Sequence, residues 1–158
     1  MFRRAVVLLL SLLAADAAAQ TVTLTVTDAG SLMQDATLDD YAQGFIIGST
    51  PVTYTVTLNG GSTSVCATVY VRGATQAGGD KAVGEIKWGA NATNQNVTLT
   101  TSANAVGSLF LTTSNRTRSG VLYFRTPIDW TDAPNTYIGP SLTFSVTGRR
   151  LNNANQCT

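Results

Sequence analysis

The feature that most constrains the fold is an alternation of apolar and polar residues, which begins at residues 21–27. This segment reads Thr-Val-Thr-Leu-Thr-Val-Thr, so Val22, Leu24 and Val26 fall on one side of an extended chain and four threonines on the other. Such a strand must pair with a sheet, either in its own chain or in a neighbouring molecule. The segment therefore predicts a β-protein and raises the question of where its first strand pairs.

The same alternation recurs along the chain, with turn residues between the segments. Residues 52–58 and 64–72 alternate on either side of Asn59-Gly60-Gly61, a pattern that predicts a β-hairpin. Residues 107–113 and 120–125 predict a second hairpin. We expect residues 82–88 to form a further strand because they carry several large apolar side chains.

About eight short strands separated by turn-rich loops predict an all-β, two-sheet antiparallel sandwich. The abundance of threonine and valine favours the same class, since these residues suit pleated, half-buried surfaces. No segment sustains a helical period; residues 31–43 come nearest, but their apolar residues are too sparse. The sequence has no internal repeat and no linker, so residues 20–158 are predicted to form a single domain.

Residues 1–19 have the pattern of a signal peptide. A basic start at Arg3 and Arg4 precedes a short apolar run, and Ala17-Ala18-Ala19 offers small residues for cleavage. The apolar run is shorter than the roughly 20 residues that a bilayer span requires. We therefore expect a protein that is secreted through the periplasm to the extracellular space or the cell surface, without membrane insertion.

Two cysteines, Cys66 and Cys157, follow the leader. In an oxidising compartment an even pair predicts one disulfide, and the alternative is two buried free thiols. The disulfide is favoured because Cys157 lies at the extreme C-terminus, where little else could bury it. Such a bond would tie the tail to an interior strand.

The sequence offers little for catalysis. It contains no histidine, which removes the commonest general base and the commonest zinc ligand. The carboxylates lie mainly in loops, where aspartate usually serves turns, so we predict no enzyme, no cofactor and no metal. Asp39 with Asp40, or Asp129 with Asp132, could offer oxygens to calcium, but neither pair matches a calcium-binding loop.

Charge also limits the choice of partner. Without Arg3, Arg4 and Asp16 of the leader, the chain carries eight basic and eight acidic residues. A chain without a basic stripe is a poor partner for nucleic acid.

Two aromatic residues are candidates for ligand binding. Trp130 lies in the polar segment 128–134, and Tyr137 follows closely. Exposed rings beside carboxylates could stack on a sugar, since aromatic side chains combine an apolar face with a polar edge. The alternative is that Trp130 folds back to cap the open end of the sandwich. Trp88, at the end of a predicted strand, is expected in the core.

Four segments carry a resemblance to a known class. Residues 40–44 and 51–57 resemble the opening of many bacterial secreted β-sandwiches. Residues 134–139 and 142–146 resemble the closing strand signature of spore coat protein U-like and pilin-like surface domains. The resemblance implies an immunoglobulin-like sandwich outside the cell.

The resemblance also implies a role for the first strand. In chaperone–usher pilins, an N-terminal alternating strand leaves its own domain and completes the sheet of the next subunit. Residues 20–27 would be such a donor strand, with Val22, Leu24 and Val26 as its inserted side chains and residues 28–31 as a hinge. The alternative is that this strand is the first strand of its own sandwich.

Two functional hypotheses follow. The first is a non-enzymatic extracellular structural or adhesive surface protein, a fibre or pilus-like subunit that associates with itself or with other surface proteins by strand addition. The second is a soluble secreted carbohydrate-binding module that uses Trp130 and Tyr137.

Overall fold

The structure, a computed structural model, describes residues 20–27, 35–48, 50–74, 81–132, 141–151 and 157. The predicted signal peptide at residues 1–19, the predicted hinge at residues 28–31 and Tyr137 lie outside the described residues.

Strands dominate the described part of the chain, as the alternation predicts. One short α-helix precedes the second strand, and a 3-10 turn (Val83–Glu85) precedes the fifth. The elements are β1 (Thr21–Thr27), α1 (Leu38–Gln43), β2 (Phe45–Ile47), β3 (Val52–Asn59), β4 (Val65–Gly73), β5 (Lys87–Gly89), β6 (Val97–Thr98), β7 (Asn104–Leu111), β8 (Thr117–Pro127) and β9 (Leu142–Arg150).

The nine strands form two antiparallel sheets. The larger sheet has the order β1-β3-β8-β5-β6, and β2 pairs with the C-terminal end of β8. The smaller sheet has the order β7-β4-β9. This arrangement confirms the predicted all-β class with two antiparallel sheets, and the count of nine agrees with the expected eight or so.

The core lies between the two sheets. It consists mainly of apolar side chains that point inward from alternate positions along the strands. The most deeply buried of these side chains belong to Ile46, Val52, Val56, Leu58, Ala67, Val69, Val71, Ile86, Leu99, Leu111, Leu122 and Phe124. Trp88 is 4% exposed and belongs to the core, as the sequence predicts.

The outward face of the larger sheet carries hydroxyl groups in place of apolar side chains. Thr25 on β1 lies opposite Thr55 on β3, which lies opposite Ser119 on β8, with 2.8 Å between the last two hydroxyl oxygens. A register slip by one residue would turn these polar residues inward and expose the core valines. The alternation therefore fixes the register of β1, β3 and β8.

The first predicted hairpin is wrong. The strands on either side of Asn59-Gly60-Gly61 form, but β3 belongs to the larger sheet and β4 to the smaller one. Gly60 and Gly61 have φ angles of 64° and 65°, and their carbonyls accept hydrogen bonds from Arg116 at 2.8 and 3.0 Å. The loop thus crosses between sheets, and the guanidinium of Arg116 holds it.

The second predicted hairpin is wrong for the same reason. β7 pairs with β4 in the smaller sheet, whereas β8 pairs with β3 and β5 in the larger one. A loop closed by the hydrogen bond from Thr112 N–H to the Asn115 carbonyl connects them. Alternation predicts which face of a strand is buried, and it does not determine which strand becomes the neighbour.

Two local elements differ from the sequence prediction. The predicted strand at residues 82–88 is a 3-10 turn followed by the short β5, because the Glu85 carboxylate accepts a hydrogen bond from Ala82 N–H at 2.6 Å. In residues 31–43, α1 forms from a capping box. The Thr37 hydroxyl accepts from Asp40 N–H at 3.2 Å, and the Asp40 carboxylate accepts from Thr37 N–H at 2.8 Å.

Candidate functional sites

The predicted donor strand is an edge strand of the larger sheet. β1 pairs antiparallel with β3 over its whole length, from Thr21 opposite Asn59 to Thr27 opposite Thr53. Its other edge has no strand partner among the described residues. Within a single chain, β1 therefore occupies the position of a first strand in its own sandwich.

The inward side chains of β1 are less well covered than those of its neighbour. Val22, Leu24 and Val26 are half-buried, whereas Val56 and Leu58 on β3 are at most 1% exposed. The difference arises because β3 has a strand on each side and β1 has a strand on one side only. β1 thus shields the core while its own apolar face stays partly open.

A seam separates β1 from the edge strand of the opposite sheet. β1 packs against β9 without strand pairing, and Val22 lies directly over Gly148. A Cβ atom at Gly148 would lie 2.8 Å from a Val22 methyl carbon, so a larger residue at position 148 would press on β1. The absence of a side chain at Gly148 therefore lets the two edge strands approach each other.

The C-terminal edge strand is tied covalently, whereas β1 is not. β9 pairs with β4 from Leu142 to Arg150, and β4 carries Cys66. Cys66 forms a disulfide with Cys157, with 5.5 Å between their Cα atoms, as the cysteine pair predicts. β4 is the central strand of the smaller sheet, so the bond ties the tail to an interior strand.

Trp130 lies at the other candidate site, where it covers a residue of the core and is itself mostly exposed. It is 69% exposed and stacks on Tyr41 of α1, with 5.2 Å between ring centroids and 22° between ring planes. Tyr41 is 8% exposed, so the buried ring supports the exposed one. One face of Trp130 is therefore covered by Tyr41, and much of the remaining ring surface meets solvent.

A tight turn holds Trp130 in place. Asp132 N–H donates to the Asp129 carbonyl at 3.0 Å, which makes Trp130 the second residue of a four-residue turn. The Asp129 carboxylate accepts from Thr131 N–H at 2.7 Å, and the Asp132 carboxylate accepts from Asp129 N–H at 2.7 Å. Aspartate is favoured at the start of such turns because its carboxylate can accept a hydrogen bond from the backbone two residues further on.

Two contacts outside the turn fix it to the sandwich. Lys81 Nζ donates to both carboxylate oxygens of Asp132, at 2.7 and 2.8 Å, and both side chains are largely buried. The Tyr41 hydroxyl donates to the Asp132 carbonyl at 3.3 Å. The residue that supports Trp130 also anchors its turn, so the two rings and the turn form one unit.

Three of the four aspartates considered for calcium make local hydrogen bonds. Asp40 caps α1, and Asp129 and Asp132 hold the turn around Trp130. Hydrogen bonds from the Thr131 hydroxyl and then from its backbone N–H lower the pKa of Asp129 below its ordinary value. Within the described residues no three histidine, cysteine, aspartate or glutamate side chains are placed to hold a metal ion.

The sequence prediction named Trp130 but not Tyr41, on which it stacks, because Tyr41 belongs to a short helix that the apolar pattern did not reveal. The available signal was the capping pair Thr37 and Asp40, which starts that helix. In the part of the chain that the structure describes, no helix has the length and apolar character of a membrane span.

The chain matches no protein-family model, and comparisons with curated proteins and with solved structures find no match.

Proposed function

We propose that this chain is a non-enzymatic structural or adhesive protein outside the cell, whose copies assemble into fibres by exchanging β1. The observation that carries the proposal is the position of β1. It is an N-terminal edge strand whose apolar face is half-covered and which no disulfide ties to the rest of the sandwich.

The vacated edge would need a replacement strand. Loss of β1 would expose the β3 side chains Val56 and Leu58, which are at most 1% exposed with β1 in place. It would also leave the backbone donors and acceptors of β3 without partners along one edge, and an open edge is a template for another strand. A second copy of β1 would restore the same seven residue pairs. Exchange therefore conserves the contacts of the monomer, which is the condition for strand swapping.

The arrangement gives each subunit one donor and one acceptor. β9 borders the same seam, but the Cys66–Cys157 bond and its ladder with β4 hold it. Of the two terminal strands that border this seam in the described residues, β1 is the one that no disulfide holds, so β1 would be the donor and the edge of β3 the acceptor. A contact between unlike surfaces that does not close on itself propagates as an open filament.

The expected location supports the same proposal. A disulfide persists in oxidising compartments outside the cytoplasm. The resemblance of the sequence to bacterial pilin-like and spore coat protein U-like sandwiches favours a surface role. The leader predicted at residues 1–19 would deliver the chain there.

A disulfide that locks β1 to β3 tests the proposal. Thr25 and Thr55 are directly opposite on the outward face, and opposed Cα atoms in antiparallel pairs lie about 4.5–5.5 Å apart, which suits a disulfide. Thr25→Cys with Thr55→Cys, oxidised as a dilute monomer so that the bond forms within one chain, should give a protein that stays monomeric in light scattering. The mature wild type should form larger assemblies as its concentration rises, visible as filaments by electron microscopy.

Thr25→Ser with Thr55→Ser is the matched control, because it changes the same positions without a covalent link. It should assemble like the wild type. The proposal fails if the wild type remains monomeric at millimolar concentration, or if the locked protein assembles as readily as the serine control.

A further inference from the structure

We propose that the exposed face of Trp130, supported from behind by Tyr41, is a binding platform for a neutral hexopyranose of a glycan chain. Sugar binding at this face would not require assembly by β1. Trp130 is the larger of two stacked rings and is 69% exposed at one end of the sandwich. An exposed, rigidly held aromatic ring is typical of binding surfaces.

Stacking needs a flat apolar surface, and the pair of rings provides it. Tyr41 lies 5.2 Å from Trp130 with the planes 22° apart, so the indole is held nearly parallel to a buried ring. The C–H groups on one face of a pyranose form an apolar patch that fits such a surface. The hydroxyl groups at the sugar's rim then remain free to meet water or polar side chains.

The platform is organised before any ligand arrives. The turn around Trp130 is closed by the Asp132 N–H bond to the Asp129 carbonyl, and the Asp132 carboxylate is held by Lys81 at 2.7 Å. The Tyr41 hydroxyl bonds to the same residue at 3.3 Å. A surface ordered in advance loses little conformational entropy on binding.

The charge beside the ring favours a neutral sugar over an acidic one. Asp129, next to Trp130 in the turn, is exposed and therefore ionised at neutral pH, and it accepts a hydrogen bond from Thr131 N–H at 2.7 Å. Lys81 is largely buried and is engaged by Asp132 and Glu85. A uronic acid would therefore meet a carboxylate with no free cation in the turn to balance it, whereas a neutral hexose could donate a hydroxyl to Asp129.

Titration of the mature protein with oligosaccharides tests the platform. Cellopentaose and galactopentaose serve as neutral probes and pentagalacturonate as the acidic one, with calorimetry and tryptophan fluorescence as readouts. We expect at least one neutral probe to bind and to change the Trp130 emission, and the acidic probe to bind roughly tenfold more weakly or not at all. Trp130→Ala should weaken binding by roughly tenfold or more, as for other aromatic anchors.

Three controls keep the outcome interpretable. Trp130→Tyr retains a stacking ring and should keep part of the affinity, and Val97→Ala, which shortens another exposed apolar side chain, should bind normally. The locked Thr25→Cys, Thr55→Cys protein should bind like the wild type, which separates sugar binding from assembly.

The platform is refuted if no neutral oligosaccharide binds at millimolar concentration, or if Trp130→Ala binds as well as the wild type. It is also refuted if Trp130→Ala abolishes assembly while the wild type binds no sugar, since the ring would then contact another subunit. Removal of Trp130 ends its stacking on Tyr41 but should leave the protein folded, because the indole is mostly exposed; a cooperative thermal unfolding transition in Trp130→Ala would show that a loss of binding does not reflect unfolding.

Discussion

The close approach of β1 and β9 predicts how the stability of the protein changes when either of two glycines is replaced by alanine. Gly148 and Gly107 both lie on exposed edge strands of the smaller sheet, on β9 and β7. A Cβ at Gly148 would lie 2.8 Å from a methyl carbon of Val22, whereas a Cβ at Gly107 would meet no atom within 4 Å. The same glycine-to-alanine change should therefore have opposite effects at the two positions.

The magnitude follows from two terms. Alanine restricts the unfolded chain more than glycine does, which stabilises a compatible site by about 0.4–1 kcal/mol. At Gly148 this gain is opposed by the contact with Val22, which is about 1 Å shorter than an ordinary carbon–carbon contact. The methyl belongs to a stiff β-branched side chain, so relief requires a new rotamer or a shift of β1. Overpacking of this kind costs about 1–3 kcal/mol.

We therefore expect Gly148→Ala to lower the free energy of unfolding by about 0.5–2 kcal/mol and Gly107→Ala to raise it by about 0.4–1 kcal/mol. Urea unfolding of the locked monomeric protein measures both changes without interference from assembly. Adding Val22→Ala removes the closest clash, so Gly148→Ala should cost less in that background, and the remaining cost comes from a Val65 methyl carbon at 3.3 Å. The reasoning is refuted if Gly148→Ala is as stable as Gly107→Ala, or if Val22→Ala leaves its effect unchanged.

Three further predictions concern the disulfide and two titrating groups. Replacing Cys66 and Cys157 by serine should lower the free energy of unfolding by about 4.6 kcal/mol in the chain-entropy model, since the disulfide joins residues 91 positions apart. Urea unfolding measures this change. Burial raises the pKa of Tyr54 above 10.0, so the unfolded state loses its proton first and stability should fall as the pH rises past about 10, an effect that Tyr54→Phe should remove. The lowered pKa of Asp129 means that the turn should stay intact down to about pH 4 and loosen only as the pH falls through the folded-state pKa, which Trp130 fluorescence reports.

The positions of the strands could be predicted from the sequence, but their partners could not. Alternation located β1, β3 and β4, because a strand with one buried face needs an apolar residue at every second position. The same alternation appears whether two consecutive strands pair in one sheet or lie in different sheets. The Asn59-Gly60-Gly61 turn illustrates this, since Arg116, a residue far along the chain, binds its carbonyls.

The candidate sites could be predicted only in part, for related reasons. The alternation in β1 can be read from the local sequence. The pairing of β1 with β3 in the monomer depends on tertiary structure, so the local sequence does not predict it. Trp130 was identifiable as an aromatic residue in a polar loop. Its stacking on Tyr41, which is 89 positions away in sequence, could not be predicted. The short helix that carries Tyr41 has too few apolar residues to show a helical period, and its capping residues are the only local signal.

Disulfide cross-linking between copies shows directly whether β1 is exchanged. Mature Thr25→Cys and Thr55→Cys single variants are mixed under assembling conditions and oxidised, and mass spectrometry identifies the bonded peptides. Exchange of β1 predicts a bond between residue 25 of one molecule and residue 55 of another, because these positions face each other across the β1–β3 ladder. A mixture of Thr25→Cys with Thr68→Cys, on the outer face of the smaller sheet, should give far less cross-linking. If the 25–55 bond between molecules is no more abundant than this 25–68 background, β1 pairs only within its own chain and the account of assembly is wrong.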